Sequence, residues 1–200
     1  MSLIVSMILG FIIDLIVGDP HGLIHPVQII GWFITKIKEG LQRLLYGCSY
    51  EEAVSQGLPR KKDGELIAGY VLTVVIVLGT FFVISGILYV ADLIHPALRF
   101  ALETFFIYQI LATKSLKRES MKVYARLKAG DLAGARKEIS YLVGRDTQEL
   151  DESEVAKADV ETIAENTADG VIAPLFFIAI GGAPLGFAYK ADNTLDSMVA

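Results

Sequence analysis

The sequence predicts an all-α protein, a polytopic membrane helix bundle with a cytoplasmic amphipathic-helix insert. Three observations carry that expectation. The chain is 53% hydrophobic and 20% charged, with a mean hydropathy of +0.50, against about 45–50% and 25% in soluble domains. Leu66 to Ala91 runs for 26 residues without a charge, and so long an apolar run must pair its backbone internally, as a helix. Between the apolar runs lie polar stretches whose apolar residues recur at helical spacing.

Taken in order, residues 2–18 form a first span, broken by Asp14 and slightly shorter than the roughly 20 residues that cross a bilayer untilted. With no basic n-region and no A-x-A site, this run does not read as a secretory signal. Residues 66–91 are the second span and 93–112 the third, joined in a tight hairpin, with Pro96 suited to the first turn of the returning helix. The last apolar stretch, 171–188, is interrupted by Gly181-Gly182-Ala183-Pro184 and reads as a broken or re-entrant segment. All of this is one membrane domain, 1–200.

Two polar segments separate the spans, 19–65 and 113–170. The first reads as irregular and carries Arg60-Lys61-Lys62 just before the second span. The second reads as three amphipathic helices. Leu116, Val123, Tyr124 and Leu127 line the first, which stops at Gly130. Asp131 caps the second, with Leu132, Ala135, Ile139 and Leu142 inward and Gly144 ending it. Asp151 with Glu154 opens the third, which runs towards Thr167. Residues 113–145 hold nine Lys and Arg against three acids, a bias that places them on the cytoplasmic side of the cell membrane. The hairpin of the second and third spans then puts 19–65 on that side too.

A net charge of −5 speaks against nucleic acid as a partner. Cys48 is the sole cysteine, which excludes an internal disulfide and a thiolate metal cluster. No Walker loop or Rossmann fingerprint is present.

Several constellations carry chemistry. Glu161, Glu165 and Asp169 recur at i, i+4, i+8, so their carboxylates share a helical face. Like charges so placed destabilise a helix by roughly 0.2–0.5 kcal/mol per pair, a repulsion that Mg²⁺ would remove. A solvated acidic face is the alternative. In Tyr141 to Thr147, Arg145 can grip a phosphate bidentately, and Asp146 can ligate a metal or cap a turn. Asp14 lies near the end of a span, where an ionisable group is functional or partnered. Asp19-Pro20 and His25-Pro26 make rigid turns, with His21 between them. On the third span His95, Arg99 and Glu103 form a stripe, read as an internal Arg99–Glu103 salt bridge. Lys190, Asn193, Asp196 and Ser197 follow the glycine break, and Lys190 reads as a phosphate ligand or a snorkelling anchor.

Five ordered motifs resemble the CobD/CbiB family of cobalamin biosynthesis: DLIVGDPHGLIHPVQIIG (Asp14 to Gly31), Ser115-Leu116, GDLAGARKEISYLVGRDT, ETIAENTADGVIAPLF and GGAPLGFAYKADNTLDSM. The resemblance implies a membrane adenosylcobinamide-phosphate synthase, which joins adenosylcobyric acid to (R)-1-amino-2-propanol or its phosphate through an amide bond. ATP is implied as the energy source and Mg²⁺ as its metal. On that reading Glu165, Asp169 and Asp146 hold the metal, and Arg145 and Lys190 the phosphate. Asp19 or His25 accepts the amine proton, while Asp14, Asn166, Asn193 and Asp196 contact substrate. Family members continue through further helices, so a chain truncated at the C-terminal side is expected. The implied partners are the corrinoid, the amino alcohol and the lipid bilayer, with a homo-oligomer or later corrinoid-pathway enzymes beside them. The alternative is a non-enzymatic, AmpE-like membrane sensor.

Overall fold

The computed structural model describes residues 3–19 and 25–199. The turn at Asp19-Pro20 beyond Asp19 itself, and His21, lie outside the described residues, as does the first residue of the expected 2–18 span. Among the described residues there are nine α-helices, one π turn and no strand. Two helical stretches, Lys62–Ile94 and Glu152–Val199, are long and apolar enough to cross a membrane.

Helix α1 (Leu3–Val17) packs along α5 (Pro96–Ile110), and α4 (Lys62–Ile94) leads into α5 with His95 alone between them. Pro96 opens α5, where its missing N–H costs nothing. The His95 ring accepts from Ala97 N at 3.1 Å and so caps the helix. The expected Arg99–Glu103 salt bridge does not form: Arg99 instead faces Asp92 at 3.5 Å, and the buried Glu103 turns towards α9 (Ala173–Val199).

The segment 19–65, expected to be irregular, is largely helical. Helix α2 (Pro26–Tyr46) starts where the His25 ring accepts from Val27 N, and α3 (Tyr50–Ser55) opens on a Ser49–Glu52 capping box. The driving force for α2 is one apolar stripe. Ile30 and Ile34 are buried and Ile37 and Leu41 partly so, packed on a core that includes Leu72, Ile76, Ile84, Ile107, Ile110, Ile178 and Phe187.

The insert has its own small core, Val123, Ala135, Ile139, Val155 and Ala158, shared by α6 (Thr113–Lys128), α7 (Leu132–Ser140) and α8 (Glu152–Thr167). Asp131 accepts from Gly134 N at 2.8 Å, and Asp151 forms a capping box with Glu154. Tyr124, expected on the inner face, is 51% exposed. Val123, expected on the same face, is fully buried.

After α8 a π turn, Ala168–Ile172, leads into α9. Helix α9 has two arms, because Gly181 and Gly182 leave helical geometry, with φ of −138° and +69°. The arms fold back on each other. Phe177 stacks on Tyr189 with centroids 4.9 Å apart, and a Cβ on Gly186 would lie 2.5 Å from Ile178. Asp169 and Tyr189, twenty residues apart, hydrogen-bond at 3.3 Å, whereas a straight helix would hold them about 30 Å apart.

Candidate functional site

The foldback gathers three distant parts of the chain at one end of the α1–α5 pair. The first is the exit from α1. Tyr108 donates to Gly18 O at 2.6 Å, and Lys114 donates to the carbonyls of Ile16 and Val17. These bonds occupy carbonyls that a helix end leaves unpaired, and they set the direction in which Asp19 leaves the helix. Ser115 Oγ donates to Asp19 Oδ2 at 2.6 Å, and His25 Nε2 lies 3.7 Å from Asp19 Oδ1.

His25 has a defined tautomer in this arrangement. Its Nδ1 accepts the Val27 backbone N–H at 3.2 Å, so the proton of the neutral ring sits on Nε2, facing Asp19. Burial pushes the His25 pKa below its ordinary value. The Asp19 charge acts in the opposite direction, and Lys190 adds to the lowering. The Nε2–H of the neutral ring thus faces Asp19 at a distance longer than a hydrogen bond.

The second part is Asp169, at the start of the π turn. Its Oδ1 accepts from Tyr189 at 3.3 Å and its Oδ2 from Asn193 Nδ2 at 3.4 Å. The third is the second arm of α9, which supplies Tyr189, Lys190 and Asn193. Lys190 is half-buried and makes no ion pair within 4 Å among the described residues, yet it lies close enough to Asp19 and Asp169 to feel both charges.

The other sequence candidates fall elsewhere. Asp14 is fully buried, and its Oδ2 accepts from Thr113 N at 2.8 Å, tying α1 to the start of α6. Arg145 is exposed on the insert and pairs with Glu161 at 3.2 Å, sharing no hydrogen bond or ion pair with the cluster. Asp146 accepts from Gln148 N at 3.0 Å within its own turn. Asn166 donates to Thr162 O on its own helix, and Glu165 and Asp196 are exposed.

The three acids considered for a metal do not converge: among the described residues no three His, Cys, Asp or Glu side chains form a group able to hold one. The π turn explains part of this. It breaks the i, i+4, i+8 register after Thr167, so Asp169 turns to the second arm while Glu161 and Glu165 stay on the surface. Asp169 alone suits Mg²⁺ of the kind that takes one or two carboxylates and completes its shell with phosphate and water oxygens.

Ser115 and Tyr189 lie within motifs of the sequence that assign them no role, and Tyr108 lies in none, since their partners are 96, 20 and 90 residues away. A π turn is itself a signal, because such turns concentrate at functional sites, but it is visible only in the backbone.

Comparison with known proteins identifies the family. The family described as CobD/Cbib protein matches residues 7–200. The chain is 43% identical over 194 residues to the cobalamin biosynthesis protein CobD of Clostridium perfringens, covering 97% of this chain and 56% of that protein. It is 41% identical over 196 residues to the cobalamin biosynthesis protein CbiB of Salmonella arizonae, covering 98% and 57%. To CobD of Klebsiella pneumoniae it is 42% identical over 190 residues, covering 95% and 55%. The chain thus spans a little over half the length of these relatives. No solved structure matches it. With its helical architecture and its motifs covered almost from end to end, the chain belongs to the CobD/CbiB family.

Proposed function

We propose that this chain acts in cobalamin biosynthesis, as a membrane synthase that joins adenosylcobyric acid to (R)-1-amino-2-propanol or its phosphate. The observation that carries the reading is the convergence of Asp19, Ser115, His25, Asp169, Tyr189, Lys190 and Asn193 from chain segments far apart in sequence. A sensor has no need of such a cluster, and the relatives' names point to the pathway.

Amide formation needs an activated carboxyl group, a free amine and a place for the proton that leaves. ATP with Mg²⁺ supplies the activation, phosphorylating the carboxyl oxygen so that phosphate can depart. The residues of this chain do the rest. Asp19, held by Ser115 and His25, takes the proton released as the amine nitrogen bonds to the acyl carbon. Lys190, without a carboxylate of its own, offsets negative charge on the phosphoryl group or the acyl oxygen. Asp169, oriented by Tyr189 and Asn193, would supply one oxygen ligand to Mg²⁺ carried by phosphates.

In this reading α1, α4, α5 and the two-armed α9 lie in the cytoplasmic membrane as a multi-pass bundle, with the insert and the site on the cytoplasmic side. The second arm then returns to the face from which the first entered. The test is the full chain in detergent with adenosylcobyric acid, ATP, Mg²⁺ and the amino alcohol or its phosphate, scored for the amide product by mass. Product that requires all four components supports the reading. A chain that binds corrinoid but forms no amide under any combination overturns it.

A further inference from the structure

The polar cluster depends on the second arm of α9 coming back, and the turn that sends it back is held from another helix. At the tip of the hairpin the backbone N–H of Ala183 donates to Glu103 Oε1 at 2.7 Å. Glu103 is 7% exposed and belongs to α5. The N–H it accepts stands at the start of the second arm, where a helix has unpaired donors and a favourable field for a carboxylate. The next residue, Pro184, has no N–H to satisfy. Gly182 has φ +69°, and a Cβ there would lie 2.6 Å from Glu103 Oε1. The Gly-Gly-Ala-Pro break and Glu103 are therefore parts of one device: glycine gives the carboxylate room, alanine offers the donor, and proline begins the arm.

We infer that Glu103 is a positioning residue that fixes the tip of the α9 hairpin and thereby holds Tyr189, Lys190 and Asn193 beside Asp169. It makes no hydrogen bond or ion pair with any of the three polar groups it places. Its effect on the synthase reaction rests on the reading above, but its effect on the hairpin does not.

The experiment reads the two separately. In a Cys48→Ser background, cysteines replace the exposed Ile172 and Asp192, one on each side of the break, and carry spin labels for a distance measurement in nanodiscs. The intact chain gives one narrow distance, well below the roughly 30 Å that a straight helix would put between residues twenty apart. Glu103→Ala and Gly182→Ala each broaden the distribution and move it outward by about 10 Å or more, towards the straight-helix limit. Glu103→Gln keeps the narrow distance, because its amide oxygen still accepts the Ala183 N–H. Amide formation follows the same order, with loss in the two alanine variants and rescue in the glutamine variant. A wild-type distance in Glu103→Ala, or a glutamine variant as disordered as the alanine one, overturns the inference. If the distances shift as expected while even the unmodified chain makes no product, the hairpin device stands and the proposed reaction falls.

Discussion

His25 Nε2 faces Asp19 Oδ1 across 3.7 Å while its Nδ1 accepts the Val27 backbone N–H. The same ring thus caps α2 and faces the carboxylate at the head of the candidate site, and the cap requires the neutral form, because Nδ1 must keep its lone pair to accept the Val27 N–H. Burial lowers the His25 pKa below its ordinary value. The unfolded chain therefore binds the proton more readily than the folded one as the pH falls, so acid favours unfolding. The stability owed to the neutral ring is fully present above about pH 6.5 and is lost as the pH falls through the lower folded value. Melting temperature in detergent, followed from pH 8 to 5, should drop less steeply for His25→Gln than for the unmodified chain. Parallel pH profiles would show that the ring titrates without consequence for the fold.

Asp169 and Glu165 separate two ideas about the acidic face. Asp169 holds Tyr189 and Asn193, whereas Glu165 is exposed. Asp169→Asn should lower amide formation by about 100-fold or more, in the range for a positioned catalytic group, and raise the Mg²⁺ concentration needed. Glu165→Gln should fall within a few-fold of the unmodified chain. Steady-state rates across a Mg²⁺ titration decide the matter, and equal losses in both variants would return the metal to the shared face.

Asp14 braces α1 against the start of α6. Its carboxylate accepts the Thr113 N–H and is fully buried. Asp14→Ala leaves that N–H buried and unpaired, which costs about 1–3 kcal/mol. Asp14→Asn keeps an acceptor oxygen and should cost less. Denaturation in mixed micelles should show this order while corrinoid affinity stays unchanged. A loss of affinity in a stably folded Asp14→Asn chain would put the residue back at the substrate.

Gly186 marks the closest approach of the two α9 arms. An added Cβ would meet Ile178 at 2.5 Å and Ile110 at 2.9 Å, so one of three packed helical segments must move. Gly186→Ala should destabilise the chain by about 1–3 kcal/mol, the usual cost of overpacking. A thermal melt is sufficient to check it, and an unchanged or raised melting temperature would mean that the arms are not packed against each other.

Helix ends and apolar faces were legible from the sequence wherever the determining residues are neighbours. Asp131, the Asp151–Glu154 pair and the Gly181–Gly182 break act within a turn of where they stand, and each is found doing so. Helix α2 is missed from the sequence, its segment reading as irregular, although the stripe Ile30, Ile34, Ile37 and Leu41 has helical spacing. Its glycines and the prolines that precede or open it read as breakers, although Pro26 at the first helical position favours the helix. What the sequence conceals is competition between near and distant partners. Arg99 and Glu103 are spaced for an ion pair, but a buried unpaired N–H at Ala183 offers Glu103 more than a half-exposed guanidinium does. The acidic stripe of α8 fails in the same way, because the π turn after Thr167 shifts its last member. The site is built from such long-range choices, with only its ingredients written locally.

Glu103 precedes Ala183 by 80 residues, and synthesis runs from the N-terminus. Helix α5 and its carboxylate are therefore complete, and the insert has been made, before the hairpin tip leaves the ribosome. The acceptor for the turn is thus already made when the second arm is synthesised, so anchoring the tip waits on no residue that comes later in the chain.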